Sequence, residues 1–153
     1  MTETCLSLQS PVGPLTIWAQ DGAVIRLDWT FRTSVSDDPL LIEAACQLRA
    51  YFDHSLEDFD LPLAPNGSDF QKDVCKAMSA IRFGETRTYG DIARDLGVPA
   101  QAVGQACGGN PIPVIIPCHR VLGASGLGGF SGAGGVEAKV ALLKHEGAAS
   151  LLI

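Results

Sequence analysis

The stretch Asn110-Pro-Ile-Pro-Val-Ile-Ile-Pro-Cys118-His119-Arg120-Val121 places a thiol beside two bases at the end of an apolar run. Its three prolines fix φ and remove backbone donors, so the stretch is predicted to cross the interior as an extended strip and not as a helix. Flanking bases put a thiol in positive potential, which favours the thiolate. Cys118 is therefore a candidate nucleophile, and a buried, inert cysteine is the alternative.

The size and composition of the chain indicate a protein with its own hydrophobic core. Its 153 residues suffice for one domain or two small ones, and 46% of them are hydrophobic. The sequence contains no run of about 18 apolar residues and no basic-then-apolar leader. We therefore expect no membrane partner and a cytoplasmic location.

The cysteines and histidines show no spacing typical of a metal site. Five cysteines form an odd set without a CxxC pair, and the three histidines make no HxxxH pattern. Reduced thiols are expected, and the sequence predicts neither a metal nor a cofactor.

The net charge of −6 is spread unevenly along the chain. Residues 1–66 carry ten acidic residues and three arginines, which gives −7, whereas residues 67–153 carry seven acidic and eight basic residues, which gives +1. A polyanion would therefore have to dock on the second half.

The first half is predicted to be an α/β scaffold. Three stretches have strand-like patterns: residues 5–8, 15–19 and 24–29. The dipeptide Asp21-Gly22 predicts a type I′ hairpin turn between the last two. Asp38-Pro39 supplies an N-cap and a first-turn proline, which predicts a helix over residues 39–52 that covers the sheet. The acidic stretch from residue 57 to residue 67 has no period and is interpreted as a linker.

The second half is predicted to be helical. Ser68 followed by Gln71 is a capping-box pattern, and the helix that it opens is expected to run to a stop at Gly84. A closing helix is predicted over residues 136–145.

Two short helices between these, from Tyr89 to Leu96 and from about Ala100 to Cys107, are joined by a glycine-containing turn and suggest a helix-turn-helix. Most such pairs are packing units, so packing and DNA binding both stay open on this pattern. One face of the second helix is small and uncharged and would let a nucleic-acid backbone approach: Gln101, Gly104, Gln105 and Gly108.

A loop with seven glycines, from Gly123 to Gly135, follows the cysteine and has Phe130 as its one aromatic side chain. No phosphate-cradle motif is present, so the loop is either a connector or a lid that stacks on a base.

Together these motifs resemble the O6-alkylguanine-DNA alkyltransferases. The match is carried by four segments: Ala102-Val103-Gly104, Asn110 to Val121, Gly129-Phe130-Ser131-Gly132, and Lys139-x-x-Leu-Leu-x-His-Glu146-Gly. It covers about residues 68–147 closely and the first half in outline. The resemblance implies an N-terminal ribonuclease-H-like α/β domain over residues 1–66. It also implies a C-terminal helical domain with a winged helix-turn-helix over residues 67–153, which binds DNA and accepts the alkyl group.

The resemblance also implies individual roles. Cys118 would be the alkyl acceptor, His119 the base that reaches it through a water, and Glu146 the carboxylate that orients the histidine. Asn110 would be the hinge asparagine, and Tyr89 the tyrosine that donates a proton to the leaving guanine.

By the same resemblance, the second helix enters the minor groove and the damaged guanine flips into a pocket beside the cysteine. The residues implied to contact DNA are Gln101, Ala102, Gly104, Gln105, Gly108 and Arg120. Those implied to line the base pocket are Val121, Ala124, Phe130 and Ser131, with Phe130 standing where the family usually has tyrosine.

The implied activity is single-turnover repair of O6-alkylguanine in double-stranded DNA by a monomer. The sulfur attacks the O6-alkyl carbon, guanine leaves, and a thioether remains. One departure concerns the recognition helix, where Gln101 replaces the family's arginine and the segment from Pro99 to Ala102 is two residues shorter. This departure bears on base flipping and not on the cysteine chemistry.

Three other functions compete with repair. A damage sensor would bind alkylguanine without repairing it, but the family's sensors lack the cysteine that is present here. A transcription factor with Cys118 as a methylation sensor would be expected to carry a basic arm or a second DNA module. A thiol protease or hydrolase would need an oxyanion motif that the sequence does not show.

Overall fold

A computed structural model describes residues 3–33, 36–124, 126 and 135–148. The chain divides into two compact units, Met1–Asn66 and Gly67–Ile153. Most of the predicted glycine loop, with Phe130 and Ser131, lies outside the described residues.

The first unit contains a three-stranded antiparallel sheet in the order β1 (Thr4–Ser10), β2 (Gly13–Gln20) and β3 (Ala23–Asp28). The turn between β2 and β3 has φ of 52° at Asp21 and 77° at Gly22, and a type I′ turn requires positive φ at both positions. The predicted hairpin is confirmed.

A helix, α1 (Pro39–Phe52), packs on this sheet with the predicted bounds. The Asp38 carboxylate accepts a hydrogen bond from the backbone N–H of Leu40. Pro39 is the first residue of the helix, where the backbone N–H has no partner within the helix, so its lack of an N–H costs no hydrogen bond. The predicted linker is partly paired with the sheet, because the N–H of Val24 donates to Pro62 and the N–H of Ala64 donates to Val24.

The second unit is mainly helical: α2 (Asp69–Ser79), β4 (Arg87–Thr88), α3 (Tyr89–Leu96), α4 (Ala100–Gly108), a 3₁₀ turn (Cys118–Arg120), β5 (Val121–Leu122) and α5 (Val136–His145). Helices α3 and α4 form the predicted helix pair, and Gly97 closes α3 with φ of 68°. Parallel pairing of β4 with β5 brings the start of α3 beside Val121.

The capping box lies at a different helix from the one predicted. Ser68 accepts from the N–H of Gln71, but the Gln71 amide donates to the carbonyl of Ala106 at 2.7 Å and does not return to Ser68. Helix α2 ends at Ser79, before Gly84. The reciprocal pair is formed by Thr88 and Asp91, each of whose side chains accepts a 3.0 Å bond from the other residue's N–H.

The stretch that precedes Cys118 is buried, but the prediction of an extended strip is wrong. It folds into successive turns in which the N–H groups of Ile115, Ile116 and Cys118 donate to Pro113, Ile112 and Ile116. The reason is that residues 112–121 are all buried, so the backbone donors left between the prolines must find acceptors close by.

Among the described residues there is no helix whose length and apolar character would let it span a membrane.

The capping box gives a stability prediction. Thr88→Ala removes the acceptor for the N–H of Asp91 and should lower the free energy of unfolding by about 1 kcal/mol, the usual cost of losing an N-cap. Urea unfolding of the full chain measures this, with Thr86→Ala as the control because it leaves the cap intact. Equal stability of the Thr88 variant and the unaltered chain would contradict the assignment.

Candidate active site

Asn110 joins three parts of the second unit. Its backbone N–H donates to the carbonyl of Cys107 at the end of α4, and its side-chain amide donates to Ile116 at 2.8 Å. Its side-chain oxygen accepts from the N–H of Ile112 at 3.0 Å, and its side chain also bonds the thiol of Cys118. The end of α4 is thereby tied to the turns that carry the cysteine.

Cys118 is 4% exposed, and its burial raises the pKa of the thiol to about 11. The hydrogen bond from Asn110 and the charge of Lys139 oppose this rise. The expectation that the two flanking bases stabilise the thiolate is wrong, because both His119 and Arg120 turn towards Glu146.

His119 and Glu146 form a buried pair with 2.7 Å between Nε2 and Oε2, and both side chains are fully buried. Nε2 bonds a carboxylate oxygen, so it carries the proton, and Nδ1 then has a lone pair. Nδ1 is buried and finds no hydrogen-bond partner among the described residues. Burial lowers the pKa of His119 and outweighs the opposing contacts of Glu146, so the imidazole is a neutral base.

Arg120 occupies the other side of the same carboxylate. Its Nε donates to Oε1 of Glu146 at 2.8 Å and its Nη2 donates to Oε2 at 2.9 Å. Its Nη1 donates to the carbonyl of Ile81 at 2.6 Å. The residue is 5% exposed and its guanidinium is taken up by Glu146 and Ile81, so its contact with DNA stays a prediction. The buried carboxylate requires a cation, and the arginine supplies it.

Lys139 is a charged residue whose role the sequence analysis missed. Its side chain is fully buried, its Nζ donates to the carbonyl of Val121 at 2.6 Å and lies 5.8 Å from the centre of the Tyr89 ring. Burial lowers the pKa of Lys139 to about 8, and the charges of Cys118 and Cys107 oppose this. The helical spacing could have shown that Lys139 is buried, because it shares one face of α5 with Leu142 and Leu143, which are both buried.

A groove of about 560 Å³ lies over the helix pair. It is lined by Thr88, Tyr89, Gly90, Ala100, Gln101, Gly104, Gln105 and Ala124. Of the residues predicted to contact DNA, Ala102 is half-buried and Gly108 is exposed, and neither lines the groove. Val121, predicted for the base pocket, is fully buried in β5.

The two arginines at and before α3 are each paired with an aspartate of that helix. Arg87 pairs with Asp95 at 2.8 Å and Arg94 pairs with Asp91 at 2.7 Å. The described residues that line the groove are all uncharged. A polyanion that binds here would gain little from charge and would depend on close approach to small residues.

The described residues contain no group of three or more histidine, cysteine and acidic side chains that could hold a metal ion.

Two family models match the sequence. The one described as 6-O-methylguanine DNA methyltransferase, ribonuclease-like domain, matches residues 4–65, and the one described as 6-O-methylguanine DNA methyltransferase, DNA binding domain, matches residues 69–148. A methylated-DNA–protein-cysteine methyltransferase from Mycobacterium bovis is 47% identical over 92% of this chain and 90% of its own length. One of the same name from Methanosarcina barkeri is 44% identical over 91% of this chain and 94% of its own.

Solved structures are similar over most of the chain. The O6-methylguanine methyltransferase of Mycobacterium tuberculosis superimposes with a TM-score of 0.82 at 42% identity, over 95% of this chain and 93% of that one. Mycobacterium tuberculosis OGT in complex with DNA superimposes with a TM-score of 0.83 at 43% identity, with the same coverage.

The effect of the Lys139 charge on the thiol gives a testable prediction. Lys139→Met removes a buried charge that lowers the pKa of Cys118, so the thiolate fraction at pH 7.5 should fall by about tenfold, one pKa unit. The rate at which iodoacetamide labels Cys118, followed by peptide mass, measures this. Lys144→Met, an exposed lysine on the same helix, is the control and should leave the rate unchanged. Equal labelling of both variants would contradict the electrostatic role.

Proposed function

The chain belongs to the O6-methylguanine DNA methyltransferase family and repairs alkylated DNA by moving the alkyl group to a cysteine of its own; we propose that this cysteine is Cys118. The observation that carries the proposal is the buried pair that His119, directly after Cys118, forms with Glu146: Nδ1 of this neutral base has no partner among the described residues. Of the five cysteines, Cys118 alone has its thiol bonded by Asn110 and is followed by a histidine.

In the proposed reaction the thiol proton passes to Nδ1 of His119, and the sulfur attacks the alkyl carbon on O6 of guanine. The S–C bond forms as the C–O bond breaks, and guanine leaves with a proton donated by the hydroxyl of Tyr89. His119 then releases the thiol proton to water, and Tyr89 takes one back from water. The thioether that remains is a poor leaving group, so each molecule reacts once. The net change moves one alkyl group to sulfur and the thiol proton to guanine.

A thiol with a raised pKa suits this chemistry. At neutral pH the buried Cys118 is protonated and resists solvent electrophiles, because the thiolate is the reactive form. A thiolate of higher basicity is also intrinsically more nucleophilic once it forms. The sulfur therefore reacts when a substrate fills the site, and His119 then accepts the proton of the thiol.

We infer that the substrate is O6-alkylguanine in double-stranded DNA and that the groove over α4 faces that DNA. Gln101, Gly104 and Gln105 line the groove beside Tyr89, and neither glycine of α4 has a neighbour within 4 Å of the position that a Cβ would take. A nucleic-acid backbone can therefore approach the helix closely. Phe130 and Ser131 remain predictions for the base pocket.

The protein is proposed to act as a monomer in the cytoplasm. All five cysteines are free thiols, and an acceptor cysteine has to remain reduced to work, which suits a reducing compartment.

Damage sensing without efficient repair is the alternative that a specific residue favours. Gln101 is exposed in the groove where the family's arginine would fill the gap left by a flipped base. Glutamine is shorter and uncharged, so it fills that gap and pairs with the orphan base only in part.

Intact mass after incubation with a duplex that contains one O6-methylguanine tests the acceptor. We expect one added methyl group per chain, about 14 mass units for CH₂ in place of H, on the peptide that contains Cys118. Cys118→Ser should take up none, and Cys107→Ala, which alters another buried thiol, should still be methylated. Methylation of a different cysteine, or turnover beyond one equivalent, would overturn the proposal.

The same assay tests Gln101. Gln101→Arg should raise the single-turnover rate on a duplex, because the longer cation fills the gap left by the flipped base, and should hardly change the rate on free O6-benzylguanine, which needs no flipping. Gln105→Arg adds the same charge to the groove one turn away and is the matched control. Equal acceleration by both variants would assign the effect to charge alone, and a lower duplex rate for Gln101→Arg would show that this position does not support flipping.

A further inference from the structure

We propose that Arg120 is a positioning residue for the alkyl transfer, which keeps His119 neutral and correctly oriented by cancelling the charge of Glu146. The inference rests on the proposed function and assigns a task to a buried cation that the reaction steps do not use.

The geometry shows one carboxylate shared between two donors. Oε2 of Glu146 accepts from both His119 and Arg120, at 2.7 and 2.9 Å, while Oε1 accepts from Nε of Arg120 at 2.8 Å. The side chains of His119 and Glu146 are 0% exposed and that of Arg120 is 6% exposed, so solvent does not screen the three groups. A forked, two-bond contact of this kind fixes the plane of the carboxylate as well as its charge.

Without Arg120 the same carboxylate would work against catalysis. An unscreened carboxylate 2.7 Å from an imidazole favours the imidazolium, and an imidazolium has no lone pair on Nδ1 with which to accept the thiol proton. With Arg120 in place the pair of Glu146 and Arg120 is neutral, and Glu146 serves as a hydrogen-bond acceptor for Nε2.

The groups that shift the pKa of His119 agree with this. Burial lowers its pKa, the contacts with Glu146 raise it, and the charges of Arg120 and Lys139 lower it further. These three residues are the charged groups that bear on it from the 3₁₀ turn and from α5, and the Cys118 thiol is uncharged below a pKa of about 11.

Arg120 is also held from a third element. Its Nη1 donates to the carbonyl of Ile81, just beyond α2, and its guanidinium lies 5.9 Å from the centre of the Phe83 ring. In the same loop Gly84, with φ of 84°, passes so close that a Cβ would lie 3.3 Å from the backbone oxygen of Glu146. The loop after α2 therefore fixes the guanidinium and the end of α5 together.

The test is the pH dependence of single-turnover transfer from an O6-methylguanine duplex between pH 5 and pH 7.5, where Lys139 is charged and Cys118 is protonated in the free protein. For the unaltered chain we expect the rate to fall only below the ordinary histidine pKa of about 6.5. Arg120→Met should move that fall upwards by about one pH unit, so the loss approaches about tenfold only below the midpoint of the unaltered chain and is about twofold or less at pH 7.5. Arg120→Lys keeps the charge and should move it by less.

The matched control removes the carboxylate. Glu146→Gln alone leaves the Arg120 cation uncancelled and should move the midpoint of the pH profile below that of the unaltered chain, and adding Arg120→Met, which leaves both positions neutral, should bring the midpoint back towards it. If Arg120→Met does not fold, Arg120→Gln takes its place, since it keeps a donor without the charge and should give the same shift.

A loss by the same factor at every pH, or a double variant whose midpoint stays as high as that of Arg120→Met alone, would overturn the inference and leave Arg120 as a packing residue. Absence of methyl transfer to Cys118 in the unaltered chain would instead refute the proposed function. The two failures are therefore distinguishable.

Discussion

The site depends on a single constraint, which is that the charged and amide side chains around Cys118 are buried and find their partners within the protein. Asn110 hydrogen-bonds backbone groups in the turns before the cysteine. Arg120 and His119 donate hydrogen bonds to the carboxylate of Glu146. Lys139 donates to the carbonyl of Val121. A buried polar group that lost its partner would cost about 1–3 kcal/mol, and more if it were charged. Each contact is therefore held in place by the cost of breaking it.

The same burial sets the chemistry. Removing water raises the pKa of Cys118 and lowers that of His119, so at neutral pH the pair rests as an uncharged thiol and an uncharged base. Neither group then needs a counter-ion, and the nearby ion pair of Glu146 with Arg120 is internally neutral. The thiol and the imidazole stay uncharged until a substrate draws the proton across, which explains how a reactive sulfur can be kept in a packed interior.

Sequence reasoning succeeded where the signal was local. Asp21-Gly22 fixed the hairpin and Asp38-Pro39 fixed the start of α1, because a turn and a cap are decided by the residues that form them. It failed where the partner is distant in the chain: Arg120 bonds a carboxylate 26 residues away, and Gln71 prefers a carbonyl 35 residues away to its own helix end. Adjacency in sequence suggested that the bases flanking Cys118 act on it directly, whereas the fold turns both towards Glu146.

The central claim is that His119 is a neutral base with its proton on Nε2. Nitrogen NMR of the full chain with labelled histidine measures this directly at pH 7, with the signals of His119 identified by their loss in His119→Phe. The account predicts a protonated Nε2 and an unprotonated Nδ1, as the 2.7 Å contact with Glu146 and the unpartnered Nδ1 imply. An imidazolium with both nitrogens protonated, or the tautomer with its proton on Nδ1, would contradict it.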